Sequence, residues 1–237
     1  MNARLCALLA VLLALSSPAI AASPHADAEA AVRAAYADYR TALFMTNQKD
    51  AKASLSSIEA FRAKWSALTE AWTRVAPPQY AADPGLQKTL RRVGDIAGEA
   101  TRIATAGELA KAHEVLEEIR DQLAALRARN GVTTFSDRMN AYHEQMERVL
   151  LDGYDGFSAP GLARLRDDAA VLGYLADRMV EGGTALEPDP ARDAALGAVA
   201  GSVANLRAAL RANDAGRTRE AVAGLKGPYS KAFLRFG

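Results

Sequence analysis

Apolar residues recur at alternating three- and four-residue steps along almost the whole chain, and runs of β-branched residues are missing. That period is the signature of amphipathic helices, each turning one stripe toward a core. The clearest stripe is Leu55, Ile58, Phe61, Trp65, Leu68 and Trp72. Others run through Val32, Tyr36, Tyr39 and Leu43; Leu86, Leu90, Val93, Ala97 and Ala100; and Leu109, Ala112, Leu116, Ile119, Leu123 and Leu126. Two more follow, through Leu162, Leu165, Ala169, Leu172 and Met179 and through Leu196, Val199, Val203, Leu206 and Leu210. The pattern predicts helices near 26–46, 49–73, 84–104, 106–129, 136–151, 159–181, 190–212 and 215–235.

The polar breaks between stripes carry start and stop chemistry. Asp83-Pro84 and Asp189-Pro190 each offer an aspartate cap followed by a proline, whose missing N–H costs nothing in a first turn. Thr105 and Glu108 have the spacing of a capping box, and Asn130-Gly131 reads as a helix stop. Gly227-Pro228 falls inside the last apolar pattern, so that helix is expected to kink or restart at Tyr229.

Several landmarks recur 106 residues apart: Tyr36 with Tyr142, Asp83-Pro84 with Asp189-Pro190, Leu90 and Val93 with Leu196 and Val199, and Gly131 with Gly237. The stripe that contains Trp65 and Trp72 repeats at 107 residues, as Leu172 and Met179. The expected fold is all-α: two tandem antiparallel four-helix bundles from an internal duplication, over 23–131 and 132–237. Two unrelated halves that share generic helical periodicity are the alternative.

Composition narrows the chemistry. Residues 1–22 read as a signal peptide, with Arg4 before the apolar stretch Leu5–Leu15 and small residues at its end, which implies a periplasmic protein. The single cysteine, Cys6, lies in that segment, so the exported chain has no disulfide, thiolate ligand or cysteine nucleophile. Loss of Arg4 leaves Lys plus Arg equal in number to Asp plus Glu. A chain without net charge or a basic block is a poor partner for nucleic acid or an anionic membrane, and no later run is long enough to span a bilayer.

Candidate chemistry centres on two of the three histidines. His113 and His143 each precede a glutamate by four residues, Glu117 and Glu147, and such pairs share a helix face. Either pair suits two metal ligands or a solvated, hydrogen-bonded pair. A rise of about 1.5 Å per residue puts His113 roughly 24 Å, and His143 about 10 Å, from the intervening turn if the two helices fold back on each other. The imidazoles would then lie roughly 14 Å apart along the axis, too far to share one ion. His143 would come level with Gln122 and within a turn of Glu118, giving a His143, Glu147, Glu118 cluster, and Met146 beside it would supply copper with a soft donor or simply fill the core. His113 shares an end of the first unit with Met45 and Asn47. His25 follows Pro24, which has no amide N–H to deprotonate, so an N-terminal copper site is discounted. Tyr36, Tyr39, Trp65 and Trp72 read as core.

The segments "RMNAYHEQM" and "AGRTREAVAGLK" resemble last-helix sequences of the soluble b-type four-helix cytochromes, and the layout of both halves is similar to that family and to class II c-type cytochromes. The resemblance implies four-helix units and, in the b-type proteins, haem held between a first-helix Met and a last-helix His. Here Met45 lies near the far end of its helix and His113 near the start of its own, and there is no C-x-x-C-H motif. The layout also resembles imelysin-like periplasmic proteins, whose H-x-x-E motif is one residue shorter than His113-x-x-x-Glu117. The expected function is a noncatalytic periplasmic binding or interaction protein with a transition metal, copper or iron, or an unknown periplasmic protein as its partner. Its candidate ligands are His143, Glu147, Glu118, Met146, His113 and Glu117. A b-type haem electron carrier is the alternative.

Overall fold

The structure, a computed structural model, describes residues 24–184 and 186–237; the expected signal peptide and the His25 side chain lie outside the described residues. The described chain is all-α. Four long helices come first: α1 (Pro24–Asn47), α2 (Ala51–Arg74), α3 (Leu86–Thr105) and α4 (Leu109–Arg129). Then follow α5 (Phe135–Leu151), a single turn α6 (Tyr154–Phe157), α7 (Ala159–Thr184), α8 (Pro190–Arg211), α9 (Ala215–Ala223) and α10 (Lys226–Phe236). No helix among the described residues is long and apolar enough to cross a membrane.

Packing closes two rings. α1 packs on α2, α2 on α3, α3 on α4, and α4 back on α1; α5 packs on α7, α7 on α8, and α8 on α9 and α10, which return to α5. Each ring buries its own apolar cluster, one drawn from Ala28 to Leu126 and the other from Met139 to Ala232. The predicted stripes are these interiors: Ile58, Phe61, Trp65, Leu90, Ile119, Leu165, Leu172, Val199 and Leu206 are almost wholly buried. Every such side chain contributes roughly 1.5–3 kcal/mol, which is what holds helices of this length folded in water. The Trp65 indole N–H is not left unpaired and donates to the Leu90 carbonyl at 3.0 Å.

Local polar chemistry sets the element ends. Asp50, Asp189 and Asp214 cap α2, α8 and α9 by accepting backbone N–H bonds of the first turn, and α4 stops at Asn130 with Gly131 at φ +67°. Asp83 behaves differently from Asp189. It accepts from the Gly85 N–H at 2.8 Å and pairs with Arg129 at 2.8 Å, so α3 begins at Leu86 and its start is tied to the end of α4. The expected capping box at Thr105 and Glu108 does not form: the Thr105 hydroxyl bonds its own helix at Thr101, and Glu108 supplies no side-chain cap to α4. A reaching-back carboxylate occurs instead at α5, where Asp137 accepts from the Thr134 N–H at 2.8 Å. The last helix breaks slightly earlier than expected, at Gly224-Leu225, which leaves Pro228 in the first turn of α10, where it is tolerated.

The turn before α7 departs most from sequence expectation. Gly153, Tyr154, Asp155, Gly156 and Phe157 all take positive φ, a left-handed run that L-residues adopt at a cost. Tyr154 is buried and its hydroxyl donates to Asp168 at 2.9 Å, while Gln145 donates to the same carboxylate at 3.0 Å. Gly161 permits this docking, because a Cβ there would overlap the Tyr154 carbonyl.

Candidate functional site

The two rings meet through α1 and α10, and a cavity of about 950 Å³ opens between α1 and α4 on one side and α5 and α10 on the other. Its lining follows helical spacing. On α4 the wall is His113, Glu117, Arg120 and Ala124, each one residue after a core position; on α5, Asn140, His143 and Glu147 bear the same relation to Met139, Tyr142 and Met146. One residue is a rotation of about 100° on a helix, so every lining stripe flanks a core stripe. Tyr229 and Phe233 of α10 and Leu43 and Phe44 of α1 add an apolar side.

Two arginines bind the walls together. The Arg127 side chain is only 4% exposed and makes three short contacts with Asp137, the closest at 2.6 Å. Burial works against its charge, the carboxylate outweighs that, and Arg127 stays fully protonated. This pair ties the end of α4 to the start of α5. Arg40 of α1 donates to the carbonyls of Leu234 and Gly237, joining the positive side chain to the negative end of α10.

A line of charges crosses the cavity. His113 Nε2 stands 3.8 Å from Glu117 Oε1, which lies 3.6 Å from an Arg120 Nη; the other Arg120 Nη is 3.1 Å from His143 Nδ1. His143 Nε2 is 3.6 Å from Glu147 Oε1, and Lys226 pairs with that oxygen at 3.1 Å. The His143 ring also stacks on Tyr229 with centroids 5.2 Å apart.

The two imidazoles hold opposite tautomers. His113 Nδ1 sits 3.1 Å from the Leu43 carbonyl and 2.9 Å from the Thr46 hydroxyl. A carbonyl only accepts, so Nδ1 carries the proton, and the Nε2 lone pair faces the exposed Asn47 amide at 3.4 Å. Arg120 only donates, so His143 Nδ1 is the acceptor and its proton is on Nε2, toward Glu147. Burial lowers both pKa values. For His143, burial and the Arg120 charge together bring it to about 4, and both rings are neutral at pH 7.

The predicted ligands divide. His113, Glu117, His143 and Glu147 all line this cavity, with the Arg120 guanidinium between the two pairs. Glu118 does not join His143: it faces α3 and pairs with Arg92 at 2.6 Å, because α5 leaves α4 at the Arg127–Asp137 tie instead of lying flush along it. Met146 is wholly buried in the second core and does not line the cavity. Among the described residues no three His, Asp or Glu side chains converge as a metal shell.

Tyr36 and Tyr39, read as core from the sequence, lie in the first core and do not line the cavity. Tyr36 and Tyr39 are buried with ring centroids 4.7 Å apart, and neither hydroxyl has a hydrogen-bond partner. The Asn140 side-chain amide and the Tyr142 hydroxyl are also buried without partners. Burial pushes the Tyr36 and Tyr39 phenols up, so they remain O–H donors. The available signal was Tyr36 recurring as Tyr142, a polar-tipped ring set on a core stripe in each half. No protein-family model, curated protein or solved structure matches the chain, so its ligand chemistry has to be read from its own side chains.

Proposed function

We propose that the chain is a noncatalytic binding protein that takes a small ligand into the cavity between α1/α4 and α5/α10. The observation that carries this reading is the cavity itself: about 950 Å³, within the range of small-molecule sites, with an apolar side and a few converging polar groups. The export signal read at residues 1–22 makes the periplasm the proposed compartment. The 106-residue recurrence and the two packing rings support descent from one duplicated four-helix unit, with the ligand held between the first and last helices of each copy.

His113 and Glu117 are the donors that a copper or iron ion would meet. Nδ1–H of His113 is anchored on a carbonyl, the arrangement that directs an imidazole Nε2 to a metal. Two protein donors are an incomplete shell, so such an ion would bring the rest of its ligands with it. The same Nε2, whose one hydrogen-bond partner is the exposed Asn47 amide, at a roomy, partly aromatic cavity is the observation that favours haem as a second reading.

Native mass spectrometry of protein isolated from its exporting host tests the main reading. A retained small-molecule or metal adduct is expected in the wild type and absent in Ala124→Trp, which fills the cavity. Bare mass in the wild type, with no copper or iron by elemental analysis, overturns it. The haem reading requires a Soret band on addition of haemin that His113→Ala abolishes.

A further inference from the structure

One sheltered charge of the cavity, Arg120, is under-used. Arg120 has five N–H donors and a side chain only 17% exposed, yet it makes one hydrogen bond, to His143 Nδ1. Its nearest carboxylates, Glu117 at 3.6 Å and Asp121 at 3.9 Å, both stand beyond hydrogen-bonding reach, and Asp121 is turned to solvent at 75% exposure. Burial works against its charge, the Glu117 carboxylate 3.6 Å away favours it, and the guanidinium stays protonated. The Asn140 amide on the facing wall of the same cavity is also buried without an acceptor for its N–H. Buried polar groups are almost always paired, so an orphaned amide in the same cavity as an unsaturated guanidinium describes the complement of an acceptor.

The remaining charges of the cavity leave this place open to an anion. Asp137 is committed to Arg127, Glu147 to Lys226, and Arg40 to the carbonyls that end α10. Glu144 is 81% exposed at the rim. One acid, Glu117, stands beside Arg120 in the interior, Glu144 and Asp121 are at the mouth, and Tyr229, Phe233, Leu43 and Phe44 offer an apolar wall for the body of a ligand.

We propose that the cavity binds an organic carboxylate, its charged end on Arg120 with the Asn140 amide as a further donor, and its apolar body against Tyr229 and Phe233. A planar carboxylate matches the guanidinium fork, and the Asn140 side-chain N–H is a donor that now has no partner. The proposal rests on the cavity being a ligand site.

Titration calorimetry of the mature chain at pH 7 tests it with three probes of one shape: 1-naphthoate, 1-naphthylmethanol and 1-naphthylmethylamine. Naphthoate is expected to bind at least about tenfold more tightly than the alcohol or the amine, and Arg120→Gln to bring it down to the level of the alcohol. Asn140→Leu, which keeps the bulk and removes the amide, is expected to weaken naphthoate severalfold and leave the alcohol unchanged. Bound naphthoate should also raise the pKa of His143, followed by imidazole NMR, because it offsets the Arg120 charge. An alcohol or amine that binds as well as the carboxylate, no binding of any probe, or naphthoate affinity indifferent to both substitutions overturns the proposal. The adduct lost in Ala124→Trp reports separately on whether the cavity is a ligand site at all.

Discussion

His113 and His143 carry the same local sequence, a glutamate four residues on, and are equally sheltered, with side chains 19% and 18% exposed. Their rings nevertheless present opposite chemistry to the cavity. The region around His113 belongs to the first ring: α1 supplies the Leu43 carbonyl and the Thr46 hydroxyl, which fix the proton on Nδ1 and turn Nε2 outward. The region around His143 belongs to the second ring but is governed by α4, whose Arg120 takes Nδ1 and lowers the readiness of the ring to accept a proton. A histidine–glutamate pair on one helix therefore does not define a ligand. The neighbouring helix decides which nitrogen is free.

The contrast can be broken most severely at the tie between α4 and α5. Arg127→Ala leaves Asp137 without its buried partner and is expected to cost about 3–5 kcal/mol in urea unfolding. In the folded remainder, NMR titration should show the pKa of His143 rising toward its ordinary value as α5 loosens from Arg120, while His113, seated by α1, keeps its own.

Acid should act next most strongly, and mainly through one of the two rings. His143 titrates at about 4 when folded, against an ordinary value of 6.5, so below 6.5 the unfolded chain takes up a proton that the folded chain refuses. Its contribution is complete above about pH 6.5 and is lost as the pH falls toward 4, on the order of 3 kcal/mol in all. His113 is shifted in the same direction and adds to the slope. Melting temperatures measured from pH 7 to pH 4 should fall steeply in the wild type and clearly less in His143→Gln. Equal slopes would show that the field of Arg120 is not felt at the ring.

A smaller and more selective change is expected from Arg120→Gln, with a loss of about 1.5 kcal/mol for a hydrogen bond from a charged donor. The pKa of His143 should rise, and the tautomer of His113, read from its nitrogen chemical shifts, should not change. The mildest test is Thr46→Val. It removes one partner of His113 Nδ1, for about 0.5–1 kcal/mol, and leaves the Leu43 carbonyl to hold the tautomer. His143 should be indifferent to it, which chemical denaturation and proton NMR would both report.

Much of the fold was legible because it depends on near neighbours along the chain. The Leu55–Trp72 and Leu109–Leu126 stripes are helix interiors, Asp189 caps α8, and Asn130-Gly131 ends α4, each within a residue or two of expectation. Where two nearby residues had alternative partners, reading failed. Thr105 bonded back to Thr101 and Asp83 chose Arg129 across the ring, since both found an acceptor or donor nearer than the cap they were assigned. The left-handed turn at 153–157 had no local cue beyond two glycines; its acceptable cost comes from Asp168 and Gly161, residues of the next helix.

The site was legible only in its ingredients. His113, Glu117, His143 and Glu147 were singled out by their spacing, but a flush α4–α5 hairpin was assumed and it placed Glu118 at His143. The Arg127–Asp137 tie and the packing of α5 on α7 instead open α5 away from α4, with Arg120 reaching across the gap. Tyr36 and Tyr39 were read as core and are core, whereas Asn140 escaped notice because a residue next to an apolar stripe looks like core until the partners of its polar atoms are counted.

The sequence by itself determined that the described chain is helical, where most of its long helices begin and end to within a few residues, and which face of each is buried, because period, capping and burial are set by residues one to four places apart. Only the tertiary structure decided that the edges of four core stripes, drawn from both halves, enclose one cavity around Arg120. It also decided which nitrogen of each histidine is available there. Those outcomes depend on the angle at which helices diverge and on hydrogen bonds between residues many positions apart, and neither leaves a mark in local spacing.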